Sequence, residues 1–469
     1  MDSILKLVYD HWYNRKPIPN GIHEVMVDHI RRTLDEKHLP SNQISQEIQE
    51  LTGYGEHFAF RGHSNFVGYF KKHFPNNTML KPAELVDDNS IYIYPLEVRT
   101  TLRSLYEDHT FSLDGIDYTY SFKDTLSPTM LNYLQTGRIK LVVNFVHDPI
   151  SHSAEIYTFE KYMRKIGVDG KNIVLIAGNK YIEHNTLVPD STMKLTYDRL
   201  LIQQCAMEMT QFPRIGGIGY VCDIVRESDL NPFIYRSKRF SCLNRTMGKP
   251  HRVLLAYFAI KHNLLKDSIF SFVGHVDESN IAGLMRNLYD LDDETATFIS
   301  KKIADLIPYE LDTHHLSIDK KTDFTTTNTK KEWYADSYVH ITSETRFQDG
   351  SDPFFSEKTF RPIMNLQPFI YVGNHHSLEL LQEIGFKTFA PFIDESYDLE
   401  VDPRKRILMI EREIEKLNNK SIEELHIWYY SITDILLHNQ RTLESFKNDN
   451  PYHNSIKDIK AFYINERVK

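Results

Sequence analysis

The pattern of apolar and polar positions along the 469-residue chain changes character twice. The first third is aromatic and irregular, with short candidate strands such as SIYIYPLEV at 90–98. It gives way to two continuous apolar runs, IKLVVNFVHD at 139–148 and KNIVLIAGN at 171–179, each β-branched and bounded by turn residues, with helical sequence between them at 154–166. A strand that is apolar throughout, instead of alternating, is one covered on both faces, so the runs predict a βαβ unit of a parallel sheet.

After FPRIGGIGY at 212–220 and the polar stretch RESDLNP at 226–232, the pattern restarts near residue 237. KRFSCLNR at 238–245 predicts a strand, 249–265 a helix and SIFSFVGH at 268–275 a strand again; later strands fall at 337–344 and 367–373, with helices after Phe355 and after Ser377. Ser377 reads as a helix N-cap, Leu378, Leu381 and Ile384 as its apolar face, and Gly385 as the residue just past its end. In DPRKRILMIEREIEKLNN, Asp402 caps, Pro403 opens the first turn, and Ile407, Ile410, Ile414 and Leu417 share one face. The pattern predicts an α/β protein with two consecutive α/β domains, 1–236 and 237–400, and amphipathic helices over 401–469 that pack back on them. A ligand of such domains sits at a cleft lined by strand C-terminal ends.

Composition narrows the function by exclusion. A hydrophobic share of 41% and a charged share of 25% are those of a globular protein, so neither disorder nor a fibre is expected. The formal charge of -9 and the lack of any long Lys/Arg block argue against a surface devoted to nucleic acid, which needs a concentrated basic face. Cys205, Cys222 and Cys242 have no CxxC spacing and read as buried free thiols in a reducing compartment. The N-terminal segment is interrupted by Lys6 and Asp10, too polar for a secretory signal, and no run approaches the ~18 apolar residues of a membrane span. A cytoplasmic protein is expected.

Several motifs fail their own chemistry. MGKPHR has Gly248-Lys249, but Leu243 and Pro250 stand where a phosphate-binding P-loop needs Gly and Ser/Thr, and IGGIGY lacks the order of a dinucleotide fingerprint. Asp290 and Asp292 read as a helix start. The pairs His314/His315 and His375/His376 point adjacent rings to different faces and lack ligand partners, so no metal is expected.

One cluster survives. In FFSEKTFRP a helix beginning near Ser356 would present unpaired N–H groups, favourable to an anion such as a diphosphate, with Lys358 and Arg361 adding full charges. Glu357 beside them could accept hydrogen bonds from sugar or ribose hydroxyls. Pro362, a few residues in, is expected to kink or shorten that helix.

The segment HITSETRFQDGSDPFFSEKTFRPIMNLQPFIYVGNHH at 340–376 resembles the donor-binding segment of the α1,3-fucosyltransferase family: a strand ending in an acidic residue, a gap, a Ser-Glu-Lys triplet opening a helix, then a strand ending in Gly. FSCLNRTMGKPHRVLLAYF at 240–258 is similar to that family's first C-terminal-domain strand, with an Asn at its end and an Arg in the next helix. The resemblance covers about residues 238–376. It implies a GT-B fold of two facing Rossmann-like domains, a GDP-linked sugar as donor substrate with no cofactor, and transfer with inversion and without a metal. By position it implies a donor site of Asn244, Arg252, Glu344, Ser356, Glu357, Lys358 and Arg361, with Arg252 on the diphosphate and Lys358 on the departing phosphate. It also implies that residues 1–236 hold a hydroxyl acceptor: a glycan, a protein or a small molecule.

Inverting transfer needs a general base within reach of the acceptor hydroxyl. His147 and Asp148 end a predicted parallel strand and are the first candidates, although Asp-Pro is also a plain turn opener. Glu56, with His57, is the other; His152 is a weaker one. The family's own base motif is not recognisable. Two further readings stay open: a retaining transferase using another nucleotide sugar, and a non-catalytic sugar-binding or assembly protein of the same fold.

Overall fold

The computed structural model describes residues 5–8, 85, 90–98, 102–113, 116–145, 153–178, 182, 190–197, 202, 205–206, 224–244, 247–274, 276–309, 331–347, 353–448, 459, 461 and 463. The chain forms two units, Met1–Leu200 with Asn450–Lys469, and Leu201–Asp449.

The first unit is built on a parallel sheet of β1 (Leu5–Leu7), β2 (Ile91–Glu97), β5 (Ile139–Phe145), β6 (Ile173–Ala177) and β7 (Lys194–Tyr197), in that spatial order. A hairpin of β3 (His109–Leu113) and β4 (Ile116–Tyr120) stands apart from it. The apolar runs become the central strands: every residue of β6, and all of β5 but Lys140, is buried. Helices α1 (Pro128–Gln135) and α2 (Ser153–Lys165) supply Met130, Leu134, Ile156, Phe159 and Met163 to that core. At roughly 1.5–3 kcal/mol for each large aliphatic side chain removed from water, this burial drives the unit together.

The second unit carries β8 (Lys238–Asn244), β9 (Ile269–Phe272), β10 (Ser337–Ser343) and β11 (Phe369–Val372), all parallel, in the spatial order β11-β10-β8-β9. Around them lie α3 (Pro250–Lys261), α4 (Glu278–Tyr289), α5 (Asp293–Leu306), α6 (Lys331–Ala335), α7 (Glu357–Met364), α8 (Ser377–Glu383), α9 (Pro403–Asn418), α10 (Ile422–Ser431) and α11 (Thr433–Ser445). The chain therefore has the α/β class and the two Rossmann-like sheets that its pattern predicts.

The units divide the chain at other points than the sequence pattern does. Ile202, Cys205, Ala206, Ile224 and Val225 belong to the second core, so its boundary lies near residue 200 and not 236. Helices α9 to α11 are part of the same core through Ile407, Ile410, Ile414, Leu417, Leu425, Trp428, Tyr429 and Leu443, whereas Ile459 and Tyr463 join the first. The expected separate tail over 401–469 is thus two pieces, because an amphipathic helix is placed by whichever apolar face covers it.

Local expectations fare better. Asp402 accepts a hydrogen bond from the Arg404 amide at 2.8 Å with Pro403 opening α9, and Asp292 caps α5 through Thr295 N at 2.8 Å. Gly385 follows α8 with φ of +101°, a left-handed conformation only glycine adopts without strain. Cys205 and Cys242 are buried; Cys222 lies outside the described residues. Ser377 is corrected: it is the first residue of α8, and His376, at φ +57°, precedes it as cap.

Candidate functional site

In the second sheet the strand order reverses between β8 and β10, the place where following helices pass to opposite faces and leave a crevice at the strand C-terminal ends. Asn244 ends β8, Ser343 ends β10, and Glu344 follows it. Arg252 interacts electrostatically with Cys242, so α3 covers the face that Cys242 shares with Asn244, two residues on. His340 feels the charge of Arg361, so α7 covers the opposite face.

Glu344 ties the two helix starts together. Its buried carboxylate accepts from Thr345 N at 2.9 Å, Ser356 N at 3.1 Å, Ser356 Oγ at 2.7 Å and Thr359 Oγ1. Its backbone carbonyl accepts from His251 Nε2 at 2.9 Å, and Lys249 Nζ donates to the next carbonyl, of Thr345. With its oxygens used by the protein, Glu344 holds α7 in register with β10 and α3. Burial, together with the nearby Arg252, pushes the His251 imidazole down to about 3, so it stays neutral and donates to Glu344.

Ser356 caps α7, accepting from Lys358 N at 3.3 Å. Pro362 does not break the helix, which ends two residues beyond it; the ring lacks an N–H, so the Lys358 carbonyl four residues earlier has no helical donor there. Glu357, Lys358 and Arg361 stand together at this start, their side chains 31%, 25% and 20% exposed. Lys358 Nζ lies 2.8 Å from Glu357 Oε1, and the Arg361 guanidinium 3.9 Å from it. Burial would raise the Glu357 carboxyl, but Lys358 and then Arg361 prevail and hold it down to about 2. Arg252, 4% exposed, has its pKa lowered by burial while Glu344, Cys242 and Glu357 counteract that, so its charge reaches the same point from α3. A guanidinium remains protonated through such a shift.

The structure thus brings Asn244, Arg252, Glu344, Ser356, Glu357, Lys358 and Arg361 to one end of one sheet. Chemically, the arrangement offers fixed cations and a helix N-terminus to an anion, and a carboxylate already ionised beside them to hydroxyl groups. His147, Asp148, Glu56, His57 and His152 lie outside the described residues. Among the described residues, no group of three or more His, Cys, Asp or Glu side chains could hold a metal ion, and no helix is long and apolar enough to cross a membrane.

Sequence reasoning missed His251, Lys249, Thr342 and Ser343. The Thr342 and Ser343 hydroxyls, Asn244 Oδ1 and Arg361 Nε are buried without a hydrogen-bond partner among the described residues. The signal was present in β10, where YVHI gives way to the small polar pair TS at the strand end.

No family model and no curated protein matches the chain. Among solved structures, one from E. coli described as trehalose-6-phosphate bound with UDP-2-fluoro glucose is similar at a TM-score of 0.34 and 8% identity, covering 86% of this chain and 98% of that one. An apo structure of OtsA is similar at 0.28 and 9%, covering 77% and 92%. Likeness of this degree has no bearing on the chemistry of the site.

Proposed function

We propose that the protein is a glycosyltransferase of the GT-B type that takes a nucleotide sugar, fucose-like and GDP-linked, and transfers the sugar to a hydroxyl acceptor with inversion. The observation that carries this reading is the convergence of Arg252, Lys358 and Arg361 on the start of α7 at the switch point of the second sheet. The resemblance of residues 238–376 to the α1,3-fucosyltransferase family supports it from the sequence side.

In this reading the diphosphate lies against the α7 N-terminus. The acceptor oxygen forms a bond to the anomeric carbon as the bond from that carbon to the β-phosphate oxygen breaks. The acceptor proton passes to a general base, for which His147, Asp148 and Glu56 are the candidates. Negative charge grows on the departing phosphate, and Lys358 and Arg252 are fixed cations that stabilise it without a metal. Glu357, ionised, accepts hydrogen bonds from donor hydroxyls.

A thermal-shift titration against GDP, UDP, CMP and dTDP, with Arg252→Ala alongside, tests the donor site. A nucleotide at about 100 times its dissociation constant adds roughly 2.7 kcal/mol of stability. Selective stabilisation by one nucleotide, lost in the variant, is expected. Stabilisation by none, or an undiminished shift in the variant, overturns the reading.

A further inference from the structure

Lys358 and Arg361 stand at the α7 start and Arg252 reaches it from α3, yet the α3 face of the same strand ends also carries polar atoms with no hydrogen-bond partner among the described residues. The register pairs His340 with Ser241 across β10 and β8; three residues further along both strands, Ser343 comes level with Asn244. Side chains alternate along a strand, so the two stand side by side on one face, the face of Cys242 that α3 covers. Asn244 Nδ2 donates to Cys242 Sγ at 3.2 Å, which fixes the amide and leaves Oδ1 as an acceptor without a donor. Among the described residues the Ser343 hydroxyl likewise has no partner. Asn244 is 2% and Ser343 4% exposed.

Two neighbouring unsatisfied oxygens at that depth are costly, about 1–3 kcal/mol each, unless something completes them. A group that fits must donate to Asn244 Oδ1 and can accept from Ser343 Oγ, and a hydroxyl does both. An ionised phosphate cannot donate, so even with Arg252 nearby and the Ser343 hydroxyl to donate to it, it would leave the buried Asn244 Oδ1 unsatisfied. We infer that Asn244 and Ser343 form a hydroxyl-reading subsite, beside Arg252 and separate from the phosphate contacts of α7, that takes a hydroxyl of the donor's ribose or of its sugar. This rests on the nucleotide-sugar reading of the site. It adds hydroxyl recognition to the α3 face, beside the charge that Arg252 brings there.

Isothermal titration of the full-length protein with pyrophosphate, GDP and GDP-fucose tests it, on the wild type, Ser343→Ala and Asn244→Ala, with melting curves to confirm folding. Ser343→Ala removes one oxygen only and is the safer variant. Each substitution is expected to weaken GDP or GDP-fucose about fivefold to tenfold, the scale of one neutral hydrogen bond, and to leave pyrophosphate within about twofold. Equal losses with GDP and GDP-fucose assign the hydroxyl to the ribose; a loss confined to GDP-fucose assigns it to the sugar. Unchanged affinity for all three ligands overturns the subsite and leaves water as the partner of both oxygens. Parallel losses for pyrophosphate overturn it too, since the residues would then act on phosphate. Wild-type protein that binds none of the three brings down the proposed donor with it.

Discussion

Two helix starts follow adjacent strands of the same sheet, α7 after β10 and α8 after β11, and they treat negative charge in opposite ways. At α8 the protein fills the site itself: the Asp398 carboxylate accepts from the amides of Ser377, Leu378 and Glu379 at 3.0, 2.9 and 3.2 Å. At α7 the nearby carboxylate of Glu344 is drawn under the cap by Ser356 and Thr359, while Lys358, Arg361 and Arg252 gather around the first turn. The titration of the two exposed or buried acids follows. Burial pushes Asp398 up to about 6 against its three amide bonds, whereas the cations bring Glu357 down to about 2. A helix N-terminus is suited to an anion in either case. At α8 the chain's own carboxylate occupies the helix amides and the end is structural, whereas at α7 the cations gathered at the first turn are what the proposed function gives to an outside anion.

The sharpest way to break this contrast is at α7. Glu357→Ala and Lys358→Ala are each expected to lower transfer by about 10²-fold to 10³-fold, in line with loss of one preorganised transition-state contact, while the protein stays folded and loses only the modest stability that their ion pair supplies. Initial rates of nucleotide release beside melting curves check it, and a large loss of stability would make these residues structural. Asp398→Ala should do the reverse, costing about 3 kcal/mol in urea unfolding, since three amides lose a buried acceptor, and leaving nucleotide affinity unaltered.

The pH dependence of stability should divide along the same line. Asp398 has a folded pKa of about 6 against an ordinary 3.8, so the protonated acid is favoured on folding; its contribution is full below about 3.8 and is lost as pH rises through 6. Glu357 has the opposite sign: its contribution is present above about 4.5 and is lost as pH falls toward 2. Melting temperature followed from pH 2.5 to 7.5 should show Asp398→Asn flattening the upper window and Glu357→Gln the lower. The same slope in wild type and variant would show that the residue does not titrate as described. The smallest effect is a control far from either helix start: Asp292→Ala, which deletes the α5 cap, should cost about 1 kcal/mol in urea unfolding and leave transfer intact.

Much of the fold was legible because it depends on local pattern. Long apolar runs announced β5 and β6, shorter strand-like stretches β8 and β10, and Asp402-Pro403 and Gly385 marked helix ends through capping and φ preference, which act within a few residues. The short β7 and the β3–β4 hairpin were not read, since brief or mixed stretches of that kind acquire a structure only from what covers them. The same applies to the unit boundaries, where Ile202 and Ile407 are assigned to a core by their neighbours in space.

The candidate site divides in the same way. Ser356, Glu357, Lys358 and Arg361 are consecutive or one turn apart, so helical geometry alone groups them, and the sequence determined that cluster. Bringing Arg252 to it from 105 positions earlier, turning Glu344 inward onto Ser356 and Thr359, and setting Ser343 level with Asn244 required the strand order β11-β10-β8-β9 and its register. Capping and periodicity are short-range and can be read along the chain. Burial, strand register and the field at a carboxylate are sums over residues distant in sequence, and only the tertiary structure decides them.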